Sequence, residues 1–296
     1  MGLFKTTLTG IGQIFLQQSA LSGLIIAIGM FFSHWTLAVA CLLGSLIGTI
    51  CAHLLKADDQ AIAQGLYGFN GSLSFMAVLF TFGLVDASNP VIWLLGLTAS
   101  IVSTIIMHIF LLKQKPAFTF PFIATSWLFC WGVAQLGLFG LSQTTPPLPD
   151  HTSIFASLQF PFYAWAEVNF GASAITGVLL CLAVAIHTPI AAVYGMMAAI
   201  IGTLMAHYLF GVDANTLANG IYGFAPILVA CVFAGSKLSD LCLIVLGVLL
   251  AVSIQYGITL TGLAPYTIGF VVATWLLLPL KAKLINYRPQ AAAKFS

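Results

Sequence analysis

Apolar runs, more than any motif, limit what this chain can fold into. They fall at about 19–33, 35–55, 61–84, 91–112 and 117–140, and again at about 174–186, 189–210, 215–235, 239–260 and 265–281. Ten such runs joined by short polar turns predict ten membrane-spanning helices and an all-α polytopic membrane protein. Composition agrees, because 60% of the 296 residues are hydrophobic and only 5% are charged. A soluble domain carries about 25% charged residues, so this chain cannot dress itself for water. Its natural partner is the lipid bilayer. The formal net charge of +2 is ordinary for such a protein and gives no sign of a nucleic-acid partner.

Two further pieces, about 4–17 and 157–171, are apolar but too short and polar to span. They suit re-entrant half-helices, which survive at membrane depth only when buried in protein or lining a cavity. The proline-rich loop Leu141–Ser153 is the natural hinge between two halves. The predicted organisation is a first repeat at 1–141, an external linker at 142–156, a second repeat at 157–284 and a cytoplasmic tail at 285–296. No cleavable signal peptide is evident, so the first spanning helix is expected to serve as the targeting signal. With the N-terminus inside, all nine Lys and Arg fall on the cytoplasmic side, while Asp86, Asp150 and Asp213 lie outside. The positive-inside rule therefore places both termini in the cytoplasm. The bare chain with short loops suggests a multi-pass protein of a bacterial inner membrane. The six cysteines all lie in apolar segments without a CxxC and read as packing residues.

The halves can be laid on each other. "SALSG" from Ser19 matches "SAITG" from Ser173, and "IGTICAH" ending at His53 matches "IGTLMAH" ending at His207, both 154 positions apart. "GLYGFN" from Gly65 meets "GIYGF" from Gly220 at 155, and "PAFTFPF" around Thr119 meets "LAPYTIGF" around Thr267 at 148. Five spans per repeat is an odd number, so the second copy must insert upside down. Such inverted repeats place the solute path at their interface near the midplane.

Polar residues inside the membrane mark that path. Glu167 is the one glutamate in the chain and sits in the second half-helix; its repeat mate is Gln13. Together they offer hydrogen-bond acceptors from opposite sides. Phe69 and Phe224 occupy matching places, with Leu73 and Leu228 one turn further on the same face. Thr119 and Thr267 form the third matched pair. His53 and His207 are mates too, but their place beside polar loops suits interfacial anchoring, and His108 reads as structural.

In these residues the chain resembles the urea transporter family. The resemblance rests on "GIGQ" at Gly10–Gln13, "GLYGFN", "TFPF" at Thr119–Phe122 and the doubled "GIYGF" and "TIGF", and it covers nearly the whole chain. It implies a channel-like carrier of urea built from two inverted five-span halves, each with a half-helix, around a central pore. It also implies a homotrimer with one pore per subunit. By resemblance, Gln13 and Glu167 head two ladders of oxygens that receive urea amides, and Phe69, Phe224 and Phe170 form slot walls. Leu73 and Leu228 narrow the path, and Thr119 and Thr267 line its middle. Three places depart from the pattern. Leu16 stands where the family often has Phe, leaving a softer wall unless Phe15 substitutes. "GFAP" stands at Gly223–Pro226 where "GFN" plus a small residue is usual, and Gly269 replaces the proline found at Pro121.

Urea is small, planar and uncharged, so an aromatic slot suits its faces and an oxygen ladder its N–H edge. No Asp, Lys or Arg lies in the interior of a span, which predicts gradient-driven conduction without cofactor or ion coupling. A pore for ammonia, a short amide or another small neutral solute is the nearest rival. A membrane enzyme is not expected, because no His, Cys, Asp or Glu residues are spaced as a nucleophile–base pair or a metal cluster. A purely structural scaffold would not need Gln13 and Glu167 duplicated by symmetry.

Overall fold

A computed structural model describes residues 2–84, 86–142 and 158–286, and among these helix is the only regular structure. The linker expected at 142–156 and the tail at 285–296 lie almost wholly outside the described residues. The first half runs α1 (Leu3–Gly12), α2 (Ala20–Phe31), α3 (Trp35–Leu54), α4 (Asp59–Ala63), α5 (Gly68–Val78), α6 (Pro90–Leu112), α7 (Phe120–Ser126) and α8 (Gly132–Gln135). After Phe160 the order is α9 (Phe160–Glu167), α10 (Ala174–His187), α11 (Pro189–Phe210), α12 (Ala214–Ala218), α13 (Phe224–Phe233), α14 (Leu238–Thr259) and α15 (Ile268–Asn286). Helices α3, α6, α11 and α14 are long and apolar enough to cross a bilayer, and α1 with α2 makes a fifth if that pair, bent by 77°, is one span.

Local chemistry explains where these helices start. Ser19 accepts the Ser22 N–H at 3.2 Å to open α2, and Asn89 caps α6 ahead of Pro90. Asp58 accepts the Ala61 N–H at 2.8 Å to open α4, and its counterpart Asp213 accepts the Thr216 N–H at 2.8 Å to open α12. The Thr216 hydroxyl and N–H beside Asp213 hold its carboxyl below the usual range.

The apolar runs at 61–84 and 215–235 are not continuous helices. Gly65 (φ 76°) and Gly220 (φ 81°) take the left-handed conformation and break each run into a short helix, a turn and a longer helix. The breaks let α1 and α9 come close: a Cβ on Gly65 would sit 2.6 Å from the Gly10 backbone nitrogen, and one on Gly220 would collide with the Ala164 nitrogen. The run at 117–140 is also irregular, passing from α7 through the π-helical turn Trp127–Trp131 into α8.

Backbone irregularities recur at the sequence spacings. Leu16 and Phe170 both have φ 61°, Lys56 (53°) pairs with Gly211 (65°), Gln114 (51°) with Gly262 (78°), and Phe118 (48°) with Tyr266 (41°). With Gly65 and Gly220, this accounts for every left-handed residue among the described residues except Gly137.

Candidate functional site

Helices α1 and α9 each end by turning a polar side chain toward a cavity. Helix α1 tightens into the 3₁₀ turn Gln13–Phe15 before Leu16 reverses the chain. The Gln13 amide donates to the Gln64 carbonyl at 2.7 Å, which fixes the side chain and leaves its oxygen as an acceptor. Helix α9 ends on Glu167, and Phe170 reverses the chain in the same way.

Gln13, Leu16, Phe69, Phe118, Thr119 and Phe270 line a cavity of about 210 Å³. Their counterparts Glu167, Phe170, Phe224, Tyr266, Thr267 and Phe122 line a second, of about 370 Å³. The two meet at the buried hydroxyls of Thr119 and Thr267, which share a hydrogen bond at 2.6 Å. Aromatic rings interlock crosswise around that contact. Phe118 meets Phe270 edge-on at 5.4 Å, and Tyr266 meets Phe122 edge-on at 5.3 Å.

The turns carrying the threonines are held from outside the cavities. The Trp127 indole donates to the Ala264 carbonyl at 2.9 Å, and the Trp275 indole to the Pro116 carbonyl at 2.7 Å. Asn70 adds a second hold on the first turn only. It donates to the Phe118 carbonyl at 3.1 Å and accepts the Phe122 N–H at 3.0 Å. The second half has Ala225 at this place.

Of the residues expected to form the path, Gln13, Glu167, Phe69, Phe224, Phe170, Thr119 and Thr267 line one cavity or the other. Leu73 and Leu228 line neither; each is buried with 1% of its surface exposed. Phe15 does not stand in for Leu16, because it is fully buried and stacks on Trp165 at 5.5 Å. His108 bonds the Tyr67 hydroxyl at 2.8 Å. The sequence reading passed over Phe118, Phe122, Tyr266, Phe270 and Asn219 as lining residues. The 148-residue spacing that pairs Thr119 with Thr267 also pairs Phe118 with Tyr266 and Phe122 with Phe270, so the signal was present.

A family model described as urea transporter matches residues 4–282. The chain belongs to the urea transporter family. Among relatives in that family, the proteins named urea transporter 1 of sheep (Ovis aries) and goat (Capra hircus) are each 25% identical over 313 residues. Those alignments cover 94% of this chain and 77% of each relative. The urea transporter 1 of rat (Rattus norvegicus) is 23% identical over 242 residues, and the alignment covers 77% of this chain and 62% of that protein. This family member thus spans somewhat less than two thirds of the rat protein's length. Family membership and the long apolar helices make it a membrane protein with multiple membrane-embedded helices.

Proposed function

We propose that this chain conducts urea passively, down its gradient, through the two cavities and past the threonine pair between them. The observation that carries the reading is the matched lining: acceptor oxygens and aromatic walls repeat on both sides of one hydrogen-bonded junction. Urea brings in-plane N–H donors and one carbonyl. Gln13 and Glu167 offer acceptors at the two cavities, while Phe69, Phe224 and Phe170 supply flat apolar faces. The Thr119 and Thr267 hydroxyls can each donate or accept, so they can exchange their mutual bond for bonds to a passing solute at small net cost. Binding is then weak and repeated, as conduction requires.

The path belongs to two inverted five-span halves, 1–141 and 157–284, giving ten spans with both termini cytoplasmic. The recurrence of left-handed residues at fixed spacings supports this arrangement. The family resemblance extends the reading to a homotrimer, and the short loops extend it to a bacterial inner membrane.

Stopped-flow light scattering on purified protein in liposomes tests the proposal. Urea flux should persist when an uncoupler is added at fixed urea gradient. Glu167→Ala and Phe69→Ala should each lower it roughly tenfold, the loss of about one hydrogen bond or one stacking wall at a barrier. Wild-type vesicles no more permeable to urea than empty ones, or variants with full flux, would sink it.

A further inference from the structure

We propose that Trp127 and Trp275 are positioning residues for solute selection, each indole holding the threonine-bearing turn of the opposite half in register. The inference rests on the conduction reading above and adds to it the residues that set the width of the junction.

Phe118 and Tyr266, each immediately before a junction threonine, adopt φ 48° and 41°. Bulky residues avoid this region; such conformations are costly and persist only when the surroundings over-determine them. A restraint on each turn is therefore required, and the indole bonds lie in the right place. Pro116 and Ala264, the two acceptors, each sit three residues before a junction threonine.

Donors and acceptors are both 148 positions apart, Trp127 from Trp275 and Pro116 from Ala264. Both bonds run crosswise: Trp127 in the first half holds the second-half turn, and Trp275 in the second half holds the first. They bind the same two segments whose hydroxyls touch at 2.6 Å. An indole N–H in a low-dielectric setting needs a partner, but that need does not require the partner to be this carbonyl in both halves.

The two clamps should not weigh equally. The first-half turn is also held through two backbone groups by Asn70, whereas Ala225 gives the second-half turn no such support, and its further side-chain bond, Tyr266 to the Cys130 thiol, is a weak one. Loss of the Trp127 donor should therefore widen the junction more than loss of the Trp275 donor. A general packing role predicts no such order.

The decisive variants replace each tryptophan by benzothienylalanine, which keeps the bicyclic shape and removes only the N–H; Trp127→Phe and Trp275→Phe are the encoded versions. Two readouts are taken in full-length protein in liposomes. One is the flux ratio of urea to N,N′-dimethylurea. The other is the rate of disulfide formation between Thr119→Cys and Thr267→Cys, followed by the linked peptide in mass spectrometry. Loss of the Trp127 donor should lower the urea preference and slow cross-linking by about threefold to tenfold, the range one net hydrogen bond supports. Loss of the Trp275 donor should do less. Unchanged cross-linking and unchanged ratio in both isosteres would overturn the clamp, as would a larger effect from Trp275. If wild-type protein carries no urea yet cross-linking still depends on Trp127, the conduction reading falls and the clamp stands.

Discussion

At the scale of single residues, Asn70 shows how a polar side chain in the motif can serve the path without lining it. Its amide is fully buried and bridges the Phe118 carbonyl to the Phe122 N–H. Asn70→Ala would leave the buried Phe122 N–H unpaired, at about 1–3 kcal/mol, and take a partner from the part-buried Phe118 carbonyl. The variant should therefore show a lower thermal midpoint in detergent and a reduced urea flux. A midpoint equal to wild type would mean the turn is held without this side chain. In the sequence Asn70 is only the last letter of "GLYGFN", beside Phe69. Its role in clamping α7 depends on a partner 48 residues away, which no spacing rule announces. Six of the seven cavity residues named from sequence were legible because each has a repeat mate and a reason to be polar or aromatic inside a membrane; Phe170 came from the family resemblance alone. Leu73 and Leu228 had mates but no chemistry of their own. Adjacency on a helix face did not decide whether they border the cavities or pack behind them.

At the scale of elements, hydropathy found the segments and missed how they are folded. The runs at 61–84 and 215–235 read as plain spans, yet left-handed glycines break both. Apolar content carries no information about φ, so only the doubled glycines hinted at the break. Gly65→Ala and Gly220→Ala should each be strongly destabilising, because the added Cβ meets backbone of α1 or α9, which cannot swing away. Gly137→Ala is the control: it has φ 63° but nothing within 4 Å of an added Cβ, so it suffers only the conformational term of about 1 kcal/mol. Thermal midpoints by fluorescence-detected size exclusion should fall much further for Gly65→Ala and Gly220→Ala than for Gly137→Ala. Equal shifts would mean the close approach of α1 to Gly65, and of α9 to Gly220, is not needed for folding.

At the scale of the whole molecule, the fixed spacings make one strong demand on topology. If the halves are inverted copies, matched loop positions must face opposite sides of the membrane. Lys56 and Gly211 are such a pair: each is exposed, left-handed, and just after the second span of its half. Lys56 also shows that a residue other than glycine is held at this φ, so a cysteine is tolerable at either place. Lys56→Cys should react with a membrane-impermeant maleimide only from the cytoplasmic side, and Gly211→Cys only from outside, each scored above the labelling of the parent protein. This outcome follows from an odd number of crossings between the two positions, whatever the path of the segment at 143–157. Labelling of both from the same side would require an even number of crossings, and would put Gln13 and Glu167 on one face of the membrane. The two cavities could not then lie in series, so the topology experiment also tests the path itself.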